Sequence, residues 1–183
     1  GVTTIADAGV GGMALPEREI EVLAQVHEGD HVPFRQYLIP QVGTFKRVYG
    51  DEAEDRMAAL SEHASERIRF LDAGKFFADG AFIAQLMQLG EPGYIDGHEG
   101  AWMAEPDRIV WHVRPWWNTG KQVHVHGNGD RGMDATLDAI AELQAEMPRF
   151  AHRTVLHHFG VTTQAQSRRA AALGCAVQAH GYY

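Results

Sequence analysis

Cysteine is nearly absent from this chain of 183 residues, Cys175 being the only one. One thiol excludes an internal disulfide and any cysteine-rich zinc site. It lies in the apolar run Cys175-Ala-Val-Gln-Ala and reads as a small buried hydrophobe. Positive charge is scarce too, with 16 Lys and Arg against 24 Asp and Glu and a net charge of −8. Phosphate recognition needs concentrated Lys and Arg, so this balance argues against a nucleic-acid partner. No apolar run approaches the length of a membrane span and no secretory signal is visible, so a cytoplasmic protein without a membrane partner is expected. GxGxxG and GxxxxGK[ST] are both missing, which leaves a nucleotide-binding doubly wound fold without motif support. An initiator methionine is lacking as well. The chain opens inside what reads as a strand, Gly1-Val-Thr-Thr-Ile-Ala-Asp7, and a longer protein is expected.

What is present is ordinary in bulk: 45% hydrophobic and 22% charged residues, enough for one domain with a real core over residues 1–183. Residues 2–6 have the β-branched composition of a buried strand. The glycine-rich loop Asp7–Gly12 follows, then a helix from Pro16, where proline and the acids Glu17 and Glu19 suit a helix start. A second strand over 34–39 stops at Pro40. A helix is predicted over 51–69 from Met57, Leu60, Ala64 and Ile68 on one face. The third strand is 74–78. Residues 81–105 are turn-rich around Gly90–His98 and read as a long functional loop. A helix interrupted by Pro115 precedes the fourth strand, 121–126. A helix over 131–146, a fifth strand over 153–158, a helix capped by Thr163-Gln-Ala-Gln166 and a sixth strand over 175–179 complete the alternation. Strand–helix alternation means a mainly parallel sheet, the α/β class. Strands that repeatedly end in His, Asp or Lys favour a (β/α) barrel, whose active site lies at the strand C-termini. About six of the eight strands of such a barrel are present.

Eleven histidines are many for this length. His124 and His126, at i and i+2 on a strand, face the same way, either as a ligand pair or as core histidines with hydrogen-bond partners. His157 and His158 end the next strand, where alternation lets only one of them reach a shared site. Imidazoles from adjacent strand ends can meet on one zinc. Lys75 stands in an apolar strand before Phe76 and Phe77, where an unpaired charge is costly. It is read either as an ion-pair partner of Asp79 or as a neutral amine. A neutral amine can take up CO₂, and the carbamate is an oxygen ligand able to bridge two metals. Trp111, Trp116 and Trp117 read as packing residues, with a substrate pocket as the alternative role.

Four stretches, Gly1–Gly9, Lys75-Phe-Phe-Ala-Asp-Gly80, Val123-His-Val-His-Gly-Asn-Gly-Asp-Arg131 and the strand to His157 followed by Val161-Thr162, occur in that order. Together they resemble the metal-dependent amidohydrolase superfamily, in particular amidohydrolase family 3, over nearly the whole chain. The resemblance implies a partial TIM-type (β/α)8 barrel, strands 2 to 7, holding one or two divalent metals, usually zinc. It implies Lys75, often carboxylated, His126 and His157 as metal ligands and catalytic residues. His158 then stands where the family has a small residue. Asp130 and Arg131 match a Gly-Asp-Arg turn, in which Asp130 reads as a helix cap first and a substrate contact second; His124 and Asp79 are the other candidates for substrate contact. A strand-1 HxH and a strand-8 Asp, the proton shuttle, are expected outside these residues, so the chain alone is expected to be inactive. The stretch after Gly80 departs from the Ser- and Arg-containing family pattern, which blocks transfer of substrates. The implied activity is hydrolysis of carbon–nitrogen bonds in a small molecule, in non-peptide or cyclic amides, with the oligomeric state left open. Two other readings stand beside it. A cupin-like protein could use His124 and His126 as its HxH, though the capped helices oppose an all-β fold. A barrel relative could act as a binding module without catalysis.

Overall fold

The computed structural model describes residues 1–12, 15–27 and 31–181. Its contacts divide into two compact units, Gly1–Lys75 and Phe76–Tyr183.

The first unit holds β1 (Thr4–Val10), α1 (Pro16–His27), β2 (Arg35–Pro40), α2 (Val42–Tyr49), α3 (Ala53–Ala59) and β3 (Ile68–Phe70). Its strands form a parallel sheet in the order β1-β2-β3. β2 is the central strand and carries Leu38 and Ile39 into a core with Val10, Val42, Phe45, Met57, Leu60 and Ile68. β1 is less covered than its composition suggests, with Thr4, Ile5 and Ala6 exposed. In its sheet it pairs only with β2, and an edge strand lacks the second neighbour that would cover it.

Residues 42–49, ahead of the expected helix, form α2, and the single helix expected over 51–69 is replaced by α3, a 3₁₀ turn over Leu60–His63 and β3. Three local features set these boundaries. The Gln41 side chain accepts the Thr44 N–H and starts α2. Gly50, at φ 57°, ends α2 in a conformation that costs a glycine little. The Ser65 hydroxyl accepts the N–H groups of Arg67 and Ile68 at 3.2 and 3.1 Å, which turns the chain before β3. Ile68 is therefore buried from a strand. The helical spacing of Met57 and Leu60 holds, and its extension to Ile68 does not.

β4 (Ala73–Phe77) begins in the first unit, where Lys75 bridges to Gln41, and its last two residues open the second. After β4 come the segment 81–105 with a short 3₁₀ turn over Phe82–Ala84, α4 (Pro106–Asn118), β5 (Gln122–Gly127), α5 (Asp130–Glu146), β6 (Val155–His158), α6 (Gln164–Ala172) and β7 (Ala176–Ala179). The sheet order is β4-β5-β6-β7, with β5, β6 and β7 paired in parallel. β5 is buried from Val123 through Gly127, as expected of a parallel strand covered on both faces. Met133, Leu137, Leu156 and Ala170 form the core between α5, β6 and α6. Cys175 packs against it partly buried, and burial pushes its thiol up to about 11.

α4 runs through Pro115 and ends three residues later, so the proline falls in its last turn. Thr119 caps that turn, donating from Oγ1 to the Pro115 carbonyl at 3.0 Å. The predicted capping box of α6 is present: Thr163 Oγ1 accepts the Gln166 N–H at 3.2 Å, and Gln166 Oε1 accepts the Thr163 N–H at 2.8 Å. Among the described residues no helix is long and apolar enough to cross a membrane.

Candidate functional site

β5 and β6 bring the histidines together. The parallel register sets His126 beside His157, so both side chains stand on one face of the sheet, with His124 two residues earlier on the same face. His124, His126 and His157 are all buried. His124 Nδ1 and His157 Nε2 lie 2.8 Å apart, one donating and the other accepting.

His158 departs from the alternation expected of a strand. Its φ is 70° and that of Phe159 is 51°, two successive non-glycine residues in the left-handed region. Such residues cost free energy and persist where the surroundings hold them. Alternation applies only to extended backbone. The His158 ring accordingly comes to 4.4 Å, centroid to centroid, from that of His126. Both histidines of β6 thus join the cluster, where one was expected.

Beneath the cluster is a buried polar hub that the sequence reading did not single out. Asn128 is fully buried. Its backbone N–H donates to Asp79 Oδ1 at 2.9 Å and its carbonyl accepts the Val161 N–H at 2.7 Å. Its Nδ2 lies 3.1 Å from the Gly80 carbonyl and 2.9 Å from His126 Nε2. His126 Nε2 is also 3.3 Å from the same carbonyl.

Asp79 is equally buried. Its Oδ2 accepts N–H groups from Gly129 and Gln88 at 2.7 and 3.0 Å. Burial pushes its carboxyl above the ordinary value, opposed by the backbone donors Asn128, Gln88 and Gly129. Gly132 makes room for this carboxylate: a Cβ there would meet Asp79 Cγ and Oδ2 at 2.7 Å.

The segment 81–105 is fixed on the turn between β5 and α5. Asp130 is the first residue of α5, whose N-cap is Gly129, so Asp130 does not cap the helix. Its Oδ1 accepts the Gly90 N–H at 2.8 Å, while the Arg131 N–H donates to the Gln88 carbonyl at 3.1 Å. Tyr94 accepts the Met87 N–H at its hydroxyl, 2.9 Å away, and stacks on His98 at 4.0 Å. A pocket of about 410 Å³ lies between this segment and Arg131, lined by Gly90, Tyr94, His98 and Glu99 among others. That volume suits a small molecule. Trp116 and Trp117 are buried and Trp111 is half-exposed; none of them lines this pocket.

Lys75 is the last residue of the first unit and only 2% exposed. Burial pushes its amine down to about 7, so much of it is neutral near neutral pH. The second unit collects the other predicted residues: His124, His126 and His157 in the cluster, Asp79 beneath it through Asn128, and Asp130 turned to the loop. His158 and Asn128 are the additions. Asn128 had a sequence signal, a polar residue between two glycines at a strand end. His158 was a strand-end histidine that alternation sent away from the site, and its turn into the cluster depends on a backbone φ.

A model of the amidohydrolase family matches residues 1–180. The chain belongs to the amidohydrolase family. Two solved structures share the family member's fold. One is an uncharacterized metal-dependent hydrolase from Pyrococcus furiosus, 20% identical, with a TM-score of 0.64, matched over 96% of this chain and 33% of its own. The other is an uncharacterized metal-dependent hydrolase from Pyrococcus horikoshii OT3, 16% identical, with a TM-score of 0.65, matched over 96% of this chain and 32% of its own. This amidohydrolase chain therefore spans about a third of either neighbour. No protein of curated function matches it in sequence.

The donor set suits a metal of the zinc class, since imidazole is a borderline ligand. The arrangement is one of hydrogen bonds. Two nitrogens sharing a tetrahedral zinc would stand about 3.3 Å apart, whereas His124 and His157 meet at 2.8 Å. Among the described residues no three His, Cys, Asp or Glu side chains converge as a ligand group. The chemistry of the cluster fits a metal, and binding would exchange these hydrogen bonds for coordination.

Proposed function

We propose that this amidohydrolase chain is the larger part of the metal centre of a hydrolase that cleaves carbon–nitrogen bonds in small non-peptide or cyclic amides. The observation that carries the reading is the imidazole cluster delivered by the C-terminal ends of the adjacent parallel strands β5 and β6. His126 and His157 would hold the metal, most simply zinc, as one or two ions. Lys75, whose amine burial lowers to about 7, is the residue that would be carboxylated; a neutral amine is the form that takes up CO₂. A divalent metal, when bound, supplies a Lewis acid and lowers the pKa of water from 15.7 to about 7. The remaining residues position and enclose. His124 holds the His157 ring. Asp79 and Asp130 fix the segment 81–105 against the β5–α5 turn, and the pocket by Arg131 receives the substrate.

The decisive experiment uses the full-length protein. Elemental analysis should find about one or two zinc-class ions per chain. His126→Ala and His157→Ala should lose that metal and the hydrolysis of a cyclic amide panel while keeping the circular dichroism spectrum. Growth with ¹³C-bicarbonate should give a carbamate signal that Lys75→Met abolishes. A full-length protein without divalent metal would sink the hydrolase reading. The second reading, a relative that binds without catalysis, would then take its place; the mutual hydrogen bonding of the histidines favours it.

A further inference from the structure

β6 ends on a strained turn. His158 has a φ of 70°, and the Phe159 N–H donates to the His157 carbonyl at 2.9 Å. This i to i+2 bond closes a γ-turn, and positive φ at its centre makes it the rare, strained hand. Glycine would adopt that backbone freely; a histidine does so only where its surroundings over-determine it. The surroundings here are of that kind. The Phe159 N–H also reaches the Gly127 carbonyl at 3.2 Å, and the His158 carbonyl accepts the His180 N–H at 3.2 Å. The Phe159 side chain packs on the core of Met133, Leu137, Leu156 and Ala170.

The turn has a chemical result. In extended backbone His157 and His158 would face opposite sides of the sheet. Instead the His158 ring stands 4.4 Å from that of His126 and 6.2 Å from that of His157, centroid to centroid. A zinc-bound imidazole holds its nitrogen about 2.0–2.1 Å from the metal, which sets two rings on one tetrahedral ion about 5 Å apart. The two observed separations bracket that figure. The three side chains do not meet at one point, so binding would turn the rings toward a shared ion. His126 and His157 are buried, whereas His158 is only half-buried and accessible to an ion arriving from solvent.

We propose that His158 is an additional ligand of the metal centre, a solvent-side imidazole that the γ-turn delivers beside His126 and His157. This rests on the hydrolase reading, in which those two hold the metal.

The test titrates metal-free full-length protein, ¹⁵N-labelled at histidine, with zinc alone. Ligation strongly shifts the ¹⁵N resonance of the bound ring nitrogen, and His158 is assigned by the signal lost in His158→Asn. A His158 nitrogen should shift together with those of His126 and His157. Affinity is the second readout. Glycine and asparagine both suit a φ of 70°, so His158→Gly and His158→Asn keep the turn while losing the imidazole. Groups that only orient a ligand are worth about 10- to 100-fold in metal affinity, and each variant should lose at least about tenfold. A His158 resonance that zinc leaves in place overturns the proposal whatever the affinities, and so does wild-type affinity in both variants. Zinc shifts at His126 and His157 would leave the hydrolase reading standing in either case. A wild type that binds no zinc overturns both.

Discussion

His98 shows how far one residue's surroundings set its chemistry. Its Nε2 donates to the Gln85 carbonyl at 2.9 Å and its Nδ1 to the Asp96 carboxylate at 2.5 Å. Both partners are acceptors, so both ring nitrogens need protons, and the favoured form is the imidazolium. The Gln85 carbonyl first, then Asp96, hold its pKa above 6.5. A group raised in the folded state contributes stability that is fully present below its unfolded value. That contribution is lost as pH rises through the folded value. The turn that carries Tyr94 and lines the pocket should therefore loosen as pH rises through the raised His98 value. An NMR titration should give His98 a midpoint above that of a model peptide, tracked by the Ile95 and Tyr94 resonances, and Asp96→Asn should lower it. A midpoint at or below the peptide value would refute the clasp.

At the scale of elements, α5 shows where local propensity and packing part. Gly132 lies in its first turn, where alanine would favour the helix by about 1 kcal/mol. The Cβ of that alanine would stand 2.7 Å from the buried Asp79 carboxylate. This carboxylate cannot give way without loosening its bonds to Gly129, Gln88 and Asn128. Gly132→Ala should thus destabilise by about 1–3 kcal/mol, the cost of overpacking, against the sign of helix propensity. Urea unfolding of the full-length protein would measure it, and a stabilised variant would show that the contact relaxes freely. The same logic explains the helix expected over 51–69. Its periodicity was real near Met57 and Leu60, but Gly50 and Ser65 set its limits through backbone geometry that a spacing rule does not contain.

At the scale of the whole molecule, a metal that binds only the folded state stabilises it by mass action, about 4 kcal/mol when its concentration is a thousandfold above Kd. Chelation of the full-length protein should therefore lower Tm by several degrees, and added zinc should restore it; an unchanged Tm would mean that no metal is coupled to folding. The sequence by itself determined the α/β class, the order of strands and helices in the second unit, and the family, because hydrophobic period, capping residues and strand-end histidines are local features. Register too followed in part, since His126 and His157 end neighbouring strands. Only the tertiary structure decided the rest. It turned His158 into the cluster through a left-handed backbone, paired His124 with His157, and buried Asn128 beneath His126. It also made Asp79 and Asp130 anchors for a segment that local signals left unread. These outcomes depend on which polar groups meet across different loops once buried, where each donor must find an acceptor. No spacing along the chain encodes that.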